Sequence, residues 1–417
     1  MSLPVRSDAI AEGRPLLDLL SEVDGEERFA FVQDGEGLVG WGVAARIAVG
    51  TGPDRFVRAR DELARLAGGS SEPVAFASFT FDPDDDASVM VIPRVVVSRR
   101  DGMTRRITVG DDGTTAIDGT IDTMTGRHAD GPTDGGTVGR DRPRYAGSTV
   151  RDDRWLEAVA RALEEIAGGE YEKVVLARDL LLWSREPFDV DRLLHDLADR
   201  FPSCATFLVD HLLGASPERL LRRDGSQVSS RVLAGTARRD ADEAEDAALG
   251  AALLASEKDR REHDLAVRSA VEALGPVCAE LTEPEGPSLV RLDNVQHLGS
   301  DLSGRLDTGA DLATDGHVLT LLARLHPTAA VGGAPRSRAV AAIRELEGMP
   351  RGRYAGPVGW CTPDGDGEFA IALRCAEVRG TRARLFAGAG IVAGSLPEAE
   401  LTETWLKLQA MTGVLDR

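Results

Sequence analysis

Three lysines, Lys173, Lys258 and Lys407, stand among 49 basic residues, and all the others are arginine. A guanidinium stays charged and cannot accept a proton, whereas a lysine stripped of water can become a base. Lys173 lies in Glu170-Tyr171-Glu172-Lys173-Val174-Val175-Leu176-Ala177-Arg178, a β-branched run that would desolvate its ammonium. Proton transfer near neutral pH asks for such a group. Each lysine sits in a segment that also carries carboxylates or glycines, although a lysine taken singly most often just solvates a surface, which is the expectation for Lys258.

The carboxylates form a second set. Ser256-Glu257-Lys258-Asp259-Arg260-Arg261-Glu262-His263 opens a helix, with Ser256 as N-cap and Asp259 at capping-box spacing. Asp259 and Glu262, three apart, share a face of it. Near the C-terminus Ser395-Leu396-Pro397-Glu398 begins another helix. There Glu400, Glu403 and Lys407 share one face, while Leu401, Trp405 and Leu408 form an apolar side. Two such pairs, remote in sequence, suit a hard cation such as Mg²⁺, which takes oxygen ligands and keeps some water. With 69 acidic residues such pairs also arise by chance, and each alone reads as solvated surface. Ahead of the second helix runs Phe386-Ala387-Gly388-Ala389-Gly390-Ile391-Val392-Ala393-Gly394. Glycines there admit a ligand to the backbone, and N–H groups beside a helix start suit an anion. A packed strand-to-helix turn explains a lone Gly-x-Gly better. His297 and His326, on apolar segments, read singly as satisfied core groups.

These groups need elements to hold them. Short strands and turns fill the first hundred residues: Arg28 to Val32, the glycine-rich Gly35 to Gly42, and Val74 to Phe81. One helix is expected near Asp54 to Leu66. Asp82-Pro83-Asp84-Asp85-Asp86 lacks the glycine and closing glutamate of a calcium loop and reads as a solvated turn. Residues 110 to 147, rich in Gly, Asp and Thr, are expected to form a long surface excursion or a partly mobile connection. Beyond it Trp155, Val159, Leu163 and Ile166 make a helical stripe ending at Gly168-Gly169, and the Lys173 strand follows. An Asp224-Gly225 turn implies a hairpin leading into Leu233-Ala234-Gly235-Thr236.

A chain of 417 residues, 42% hydrophobic, can bury a large core. Its net charge of -20 repels nucleic acid and anionic membranes, so neither is an expected partner. An anionic small molecule remains possible where arginines and a divalent cation make a pocket locally positive. No apolar stretch approaches the roughly 20 residues that span a bilayer. The first residues lack an apolar signal core, so a cytoplasmic location is expected. Cys204, Cys278, Cys361 and Cys375 form no Cys-x-x-Cys pair and read as reduced thiols.

In order along the chain, these segments resemble the chorismate-utilising enzymes, the anthranilate, aminodeoxychorismate, isochorismate and salicylate synthases. The resemblance runs from about Trp155 to the C-terminus. It rests on the Lys173 segment, Ala215-Ser216-Pro217-Glu218-Arg219-Leu220, Leu233-Ala234-Gly235-Thr236-Ala237-Arg238 and Ser256 to His263. It continues through Val295-Gln296-His297-Leu298, Leu325-His326-Pro327-Thr328-Ala329-Ala330-Val331-Gly332-Gly333 and Tyr354-Ala355-Gly356-Pro357-Val358-Gly359. Ala372-Leu373-Arg374 and the Gly388 to Lys407 stretch complete it. Residues 1 to about 150 match more loosely. Ala329, where proline is commoner, and Asp259, where salicylate synthases often carry glutamate, depart from the pattern without removing a catalytic group.

The resemblance implies an α+β protein with large, mostly antiparallel sheets packed together and flanked by helices. Residues 1–150 would add strands to the same body as the catalytic region, 151–417. Ammonia-adding members usually carry glutamine at position 173, and water-adding members carry lysine as general base. The implied reaction is Mg²⁺-dependent conversion of chorismate to isochorismate, with Lys173 activating water and Glu218 donating a proton to the departing hydroxyl. Glu262 and Glu403 would bind the metal, with Asp259 and Glu400 close by. Tyr354, Arg374 and the Gly388-Ala389-Gly390 backbone fit the pyruvyl carboxylate. His297 and Thr328 fit the pocket around the reacting ring, and Gly235, Thr236 and Lys407 join the substrate contacts. A monomer without an amidotransferase subunit is expected, serving menaquinone or siderophore synthesis, with the looser N-terminal third favouring menaquinone. The rival readings are a salicylate synthase, which goes on to eliminate pyruvate, an ammonia-adding synthase, and a catalytically silent protein that keeps the fold and binds a metal or anion.

Overall fold

Strands that must be buried on both faces read as unbroken apolar runs, and several here do. In the strand Arg28–Gln33, Phe29 and Phe31 face one core while Ala30 and Val32 face another. The computed structural model describes residues 3–23, 25–110, 142–307, 309 and 311–416. Among them two antiparallel sheets form, one of 12 strands and one of 10. The larger runs from Val5–Ala9 at one edge to Lys173–Trp183 and the short Gly333–Ala334 at the other. Both sheets mix strands from before and after residue 150, since Arg28–Gln33 pairs with Ala205–Val209 and Ala75–Ser78 with Pro357–Cys361.

The main core lies between the sheets. There Phe29 of the larger stacks on Phe76 of the smaller, ring centroids 5.6 Å apart. A second core forms on the outer face of the larger sheet, under the helices Val190–Arg200 and Pro397–Leu415.

The expected N-terminal helix spans Arg55–Ala67 and stops at Gly68, in the left-handed conformation that glycine adopts without strain. The hairpin joins Arg219–Asp224 to Gln227–Arg238. The acidic turn is held by Arg344, which pairs with Asp82 at 2.5 Å and Asp84 at 2.8 Å. Of the expected excursion, residues 111–141 lie outside the described residues, and Arg144–Gly147 is a strand beside Lys173–Trp183. All four cysteines are free. No helix among the described residues is long and apolar enough to cross a membrane. Trp405 does not join an apolar side of its helix: it is 39% exposed, with the Arg178 guanidinium over its ring.

Candidate active site

Alternation along the strand Lys173–Trp183 puts Lys173 on the same face as Val175, which lines a pocket. The Lys173 side chain is fully buried, its Nζ 3.1 Å from Glu262 Oε1. Glu262 comes from the helix Glu257–Leu274, whose start is fixed by Ser256. The Ser256 Oγ accepts the Asp259 N–H at 3.2 Å and donates to the Asp259 carboxylate. Burial raises the Glu262 pKa, but the ammonium groups of Lys173, Lys407 and Lys258 outweigh it and hold the group below its ordinary value. Room for the pair depends on Gly390, which faces Val175 across the sheet. A Cβ there would lie 2.1 Å from Glu262 Oε1 and 3.1 Å from Lys173 Cε.

Glu218 follows the strand Leu212–Ser216 and is buried beside the same pocket. Burial pushes its pKa up to about 8, against a hydrogen bond from the Leu233 backbone and the pull of Lys173 and Lys407. At neutral pH it therefore carries a proton. The pocket thus sets a protonated carboxyl and a lysine within electrostatic reach of each other.

A bulge shapes the opposite wall. The strand Gln227–Arg238 slips register between Ala234 and Thr236, and Gly235 takes φ +76. A left-handed residue of this kind re-aims the next side chain. Thr236 Oγ1 thereby lies 3.2 Å from His297 Nδ1 and 3.3 Å from Glu403 Oε1. His297 is buried, its pKa driven well down first by burial and then by Arg374, so the ring is neutral. Its Nδ1–H faces the Gly235 carbonyl at 3.1 Å, which leaves Nε2 to accept from Arg374 Nη2 at 2.7 Å. Arg374 itself has φ 48, a strained conformation for any residue but glycine. Its Nη1 is buried without a hydrogen-bond partner beside the pocket, a donor held ready for an anion. Tyr354 stacks on Phe386 nearby, centroids 5.0 Å apart.

The helix Pro397–Leu415 closes the pocket with Glu403 and Lys407. Lys407 Nζ is 2.7 Å from Glu403 Oε1 and donates to the Gly388 carbonyl at 2.9 Å. One turn back, the nearly buried Glu400 accepts from Lys258 at 2.6 Å. Lys258 is therefore an ion-pair partner and not the solvated lysine that its local sequence suggests. Burial raises the pKa values of Asp259 and Glu400, and repulsion from Glu403 adds to both. Among the described residues no three metal-binding side chains are already gathered into a metal cluster. The donors nevertheless suit a hard divalent cation: Asp259 feels the charges of Glu262 and Glu403, Glu400 feels that of Glu403, and three of the four carboxylates are paired with ammonium groups.

Of the site residues expected from the sequence, Glu218, Gly235, Thr236, Glu262, His297, Tyr354, Arg374, Gly388, Gly390, Glu403 and Lys407 line one pocket. Lys173, Asp259 and Glu400 do not line it: Lys173 pairs with Glu262, which does, while Asp259 contacts Ser256 and Glu400 contacts Lys258. Gly388 and Gly390 sit within the strand Arg382–Val392, not in a turn before the helix. Ala389, on the other face of that strand, is buried in the main core. Thr328 is buried with its hydroxyl unpartnered, and its neighbours Ala330 and Val331 form the wall instead. His326 is a core group, bonded through Nε2 to the Phe81 carbonyl at 3.1 Å. Sequence reasoning gave no role to the apolar lining by Pro217, Leu233, Leu373 and Phe386, although each stands inside a segment quoted above.

The profile of the family described as chorismate binding enzyme matches residues 9–416. The isochorismate synthase MenF of Bacillus subtilis (strain 168) is 40% identical over 274 residues, 65% of this chain and 57% of its own length. The isochorismate synthase EntC of Escherichia coli (strain K12) is 41% identical over 263 residues, 62% of this chain and 66% of its own. The chain thus spans less than two thirds of the length of either relative. Among solved structures, the menaquinone-specific isochorismate synthase MenF of Escherichia coli superposes with a TM-score of 0.79 at 27% identity, covering 100% of this chain and 95% of that one. A match over nearly every residue, with the pocket built from the segments that carry the resemblance, makes this chain a member of the chorismate-binding enzyme family.

Proposed function

We propose that this protein is an isochorismate synthase, adding water to C2 of chorismate as the C4 hydroxyl leaves. The observation that carries the reading is the pairing of a buried lysine at position 173 with a carboxyl at Glu218 kept protonated at neutral pH. Lys173, an ammonium against Glu262 in the empty site and neutral when acting, takes a proton from water, whose oxygen bonds to C2. The ring double bonds shift, the C4–O bond breaks, and Glu218 gives its proton to the leaving oxygen, which departs as water. Solvent then restores both groups. Arg374 Nη1, Tyr354 and Lys407 supply charge and hydrogen bonds for a dicarboxylate substrate inside an otherwise acidic protein.

Glu262 and Glu403 are the residues we assign to Mg²⁺, with Asp259 and Glu400 in support. The metal would hold the ring carboxylate of the substrate. Because water is the nucleophile, no amidotransferase subunit is needed. We favour a menaquinone route over a siderophore one, although a menaquinone-specific and a 2,3-dihydroxybenzoate-specific synthase are about equally similar in structure to this chain.

Incubating pure protein with chorismate and Mg²⁺ and identifying the products tests the reading. Isochorismate should form reversibly, EDTA should stop turnover, and excess Mg²⁺ should restore it. Salicylate and pyruvate in equal amounts from the outset would shift the assignment to salicylate synthase, anthranilate from ammonia would overturn both, and full activity in chelator would remove the metal.

A further inference from the structure

Every lysine of the chain ends on a carboxylate of the group assigned to the cation: Lys173 on Glu262, Lys407 on Glu403 and Lys258 on Glu400. The reaction uses the first two and leaves Lys258 without a task. Lys258 belongs to the first turn of its helix, with its side chain one third exposed, whereas the Glu400 side chain is only 2% exposed. A buried carboxylate beside a second one is costly to keep ionised without a partner. Glu400 is in that position, facing the charge of Glu403.

We propose that Lys258 is a built-in counter-ion and positioning residue: it holds Glu400 in place while the site is empty and limits how tightly a divalent cation binds. This rests on the Mg²⁺ reading above. An entering cation is repelled by the ammonium and must share Glu400 with it. Losing the ammonium therefore has two effects of opposite sign, a tighter hold on the cation and a less stable empty protein. A lysine that merely solvated the surface would produce neither.

The test compares wild type with Lys258→Met in the absence of substrate, using Mn²⁺ binding followed by electron paramagnetic resonance and melting with and without Mg²⁺. The variant should bind Mn²⁺ about tenfold tighter, since a nearby unit charge acts on a divalent ion across a partly desolvated site. Its melting temperature should fall without cation and recover when Mg²⁺ is added, while Lys258→Arg should behave as wild type. In a Glu400→Gln background no buried carboxylate is stranded, so adding Lys258→Met there should again tighten Mn²⁺ binding even if the single variant folds poorly. Unchanged or weaker binding on losing Lys258 in both backgrounds would overturn the inference and leave the metal assignment standing. A wild-type protein that binds no cation would overturn both.

Discussion

The space between the sheets and the pocket at the edge of the larger sheet are buried by the same strands yet built on opposite rules. Between the sheets, aromatic side chains such as Phe29, Phe76 and Phe207 fill the volume and satisfy one another by contact. At the pocket, Lys173 is buried with Glu262 as its charged partner, Arg374 Nη1 is buried without a hydrogen-bond partner, Glu218 keeps a proton and Arg374 holds a strained backbone. The first region stabilises the molecule. The second keeps donors and acceptors unmet for a ligand, and so draws on stability that the first provides.

Substitutions in the two regions should therefore separate stability from turnover. Phe76→Ala should cost about 3–5 kcal/mol in chemical denaturation, as for other buried phenylalanines, while the folded fraction keeps its turnover number. A loss of turnover in the folded fraction would mean that the two regions are coupled. Lys173→Gln keeps a hydrogen-bond donor toward Glu262 but no basicity. It should lose on the order of a hundredfold or more in turnover with a much smaller change in melting, and Lys173→Arg should do the same. Near-normal turnover of Lys173→Arg would make the lysine an electrostatic anchor and not the base.

Glu218 sharpens the contrast through pH. Turnover should fall as pH rises through about 8, where its carboxyl gives up the proton. Its pKa in the folded protein lies above the ordinary 4.5, so its contribution to stability is complete below that value and is lost as pH rises through about 8. Glu218→Gln should thus be less active at pH 7 yet more stable than wild type at pH 9, and a variant with the same alkaline melting curve as wild type would contradict the assignment. The smallest effect is expected of Tyr354→Phe, which retains the stacking on Phe386. Loss of one hydrogen bond to a charged group should raise KM about tenfold with melting unchanged.

What the sequence showed of this site was chemistry with a local signature. Lys173 in a β-branched run, the capped helix that presents Asp259 and Glu262, and the spacing of Glu403 and Lys407 were all readable within a few residues. What it concealed depended on partners remote in the chain. Gly390 is required because the Lys173–Glu262 pair passes beside it, not because the backbone turns there. Lys258 looked solvated because nothing near it in sequence pointed to Glu400. Trp405 was assigned to an apolar face, but its neighbour is a guanidinium. The alternation that turns Ala389 toward the core while Gly388 and Gly390 face the pocket follows only once that segment is known to be a strand.

The strand that carries Lys173 takes its long partner from Arg382–Val392 and a short one from Gly333–Ala334. During synthesis on the ribosome Lys173 therefore emerges well before the segments that will bury it, and its apolar run waits with one edge open and the other paired only at Leu181–Trp183, by Arg144–Gly147. Contacts of such long sequence separation form slowly, and an unpaired apolar strand is prone to aggregate. Expression yield should thus depend on how fast the last fifth of the chain is delivered, with chaperone demand greatest just before the closing helix arrives.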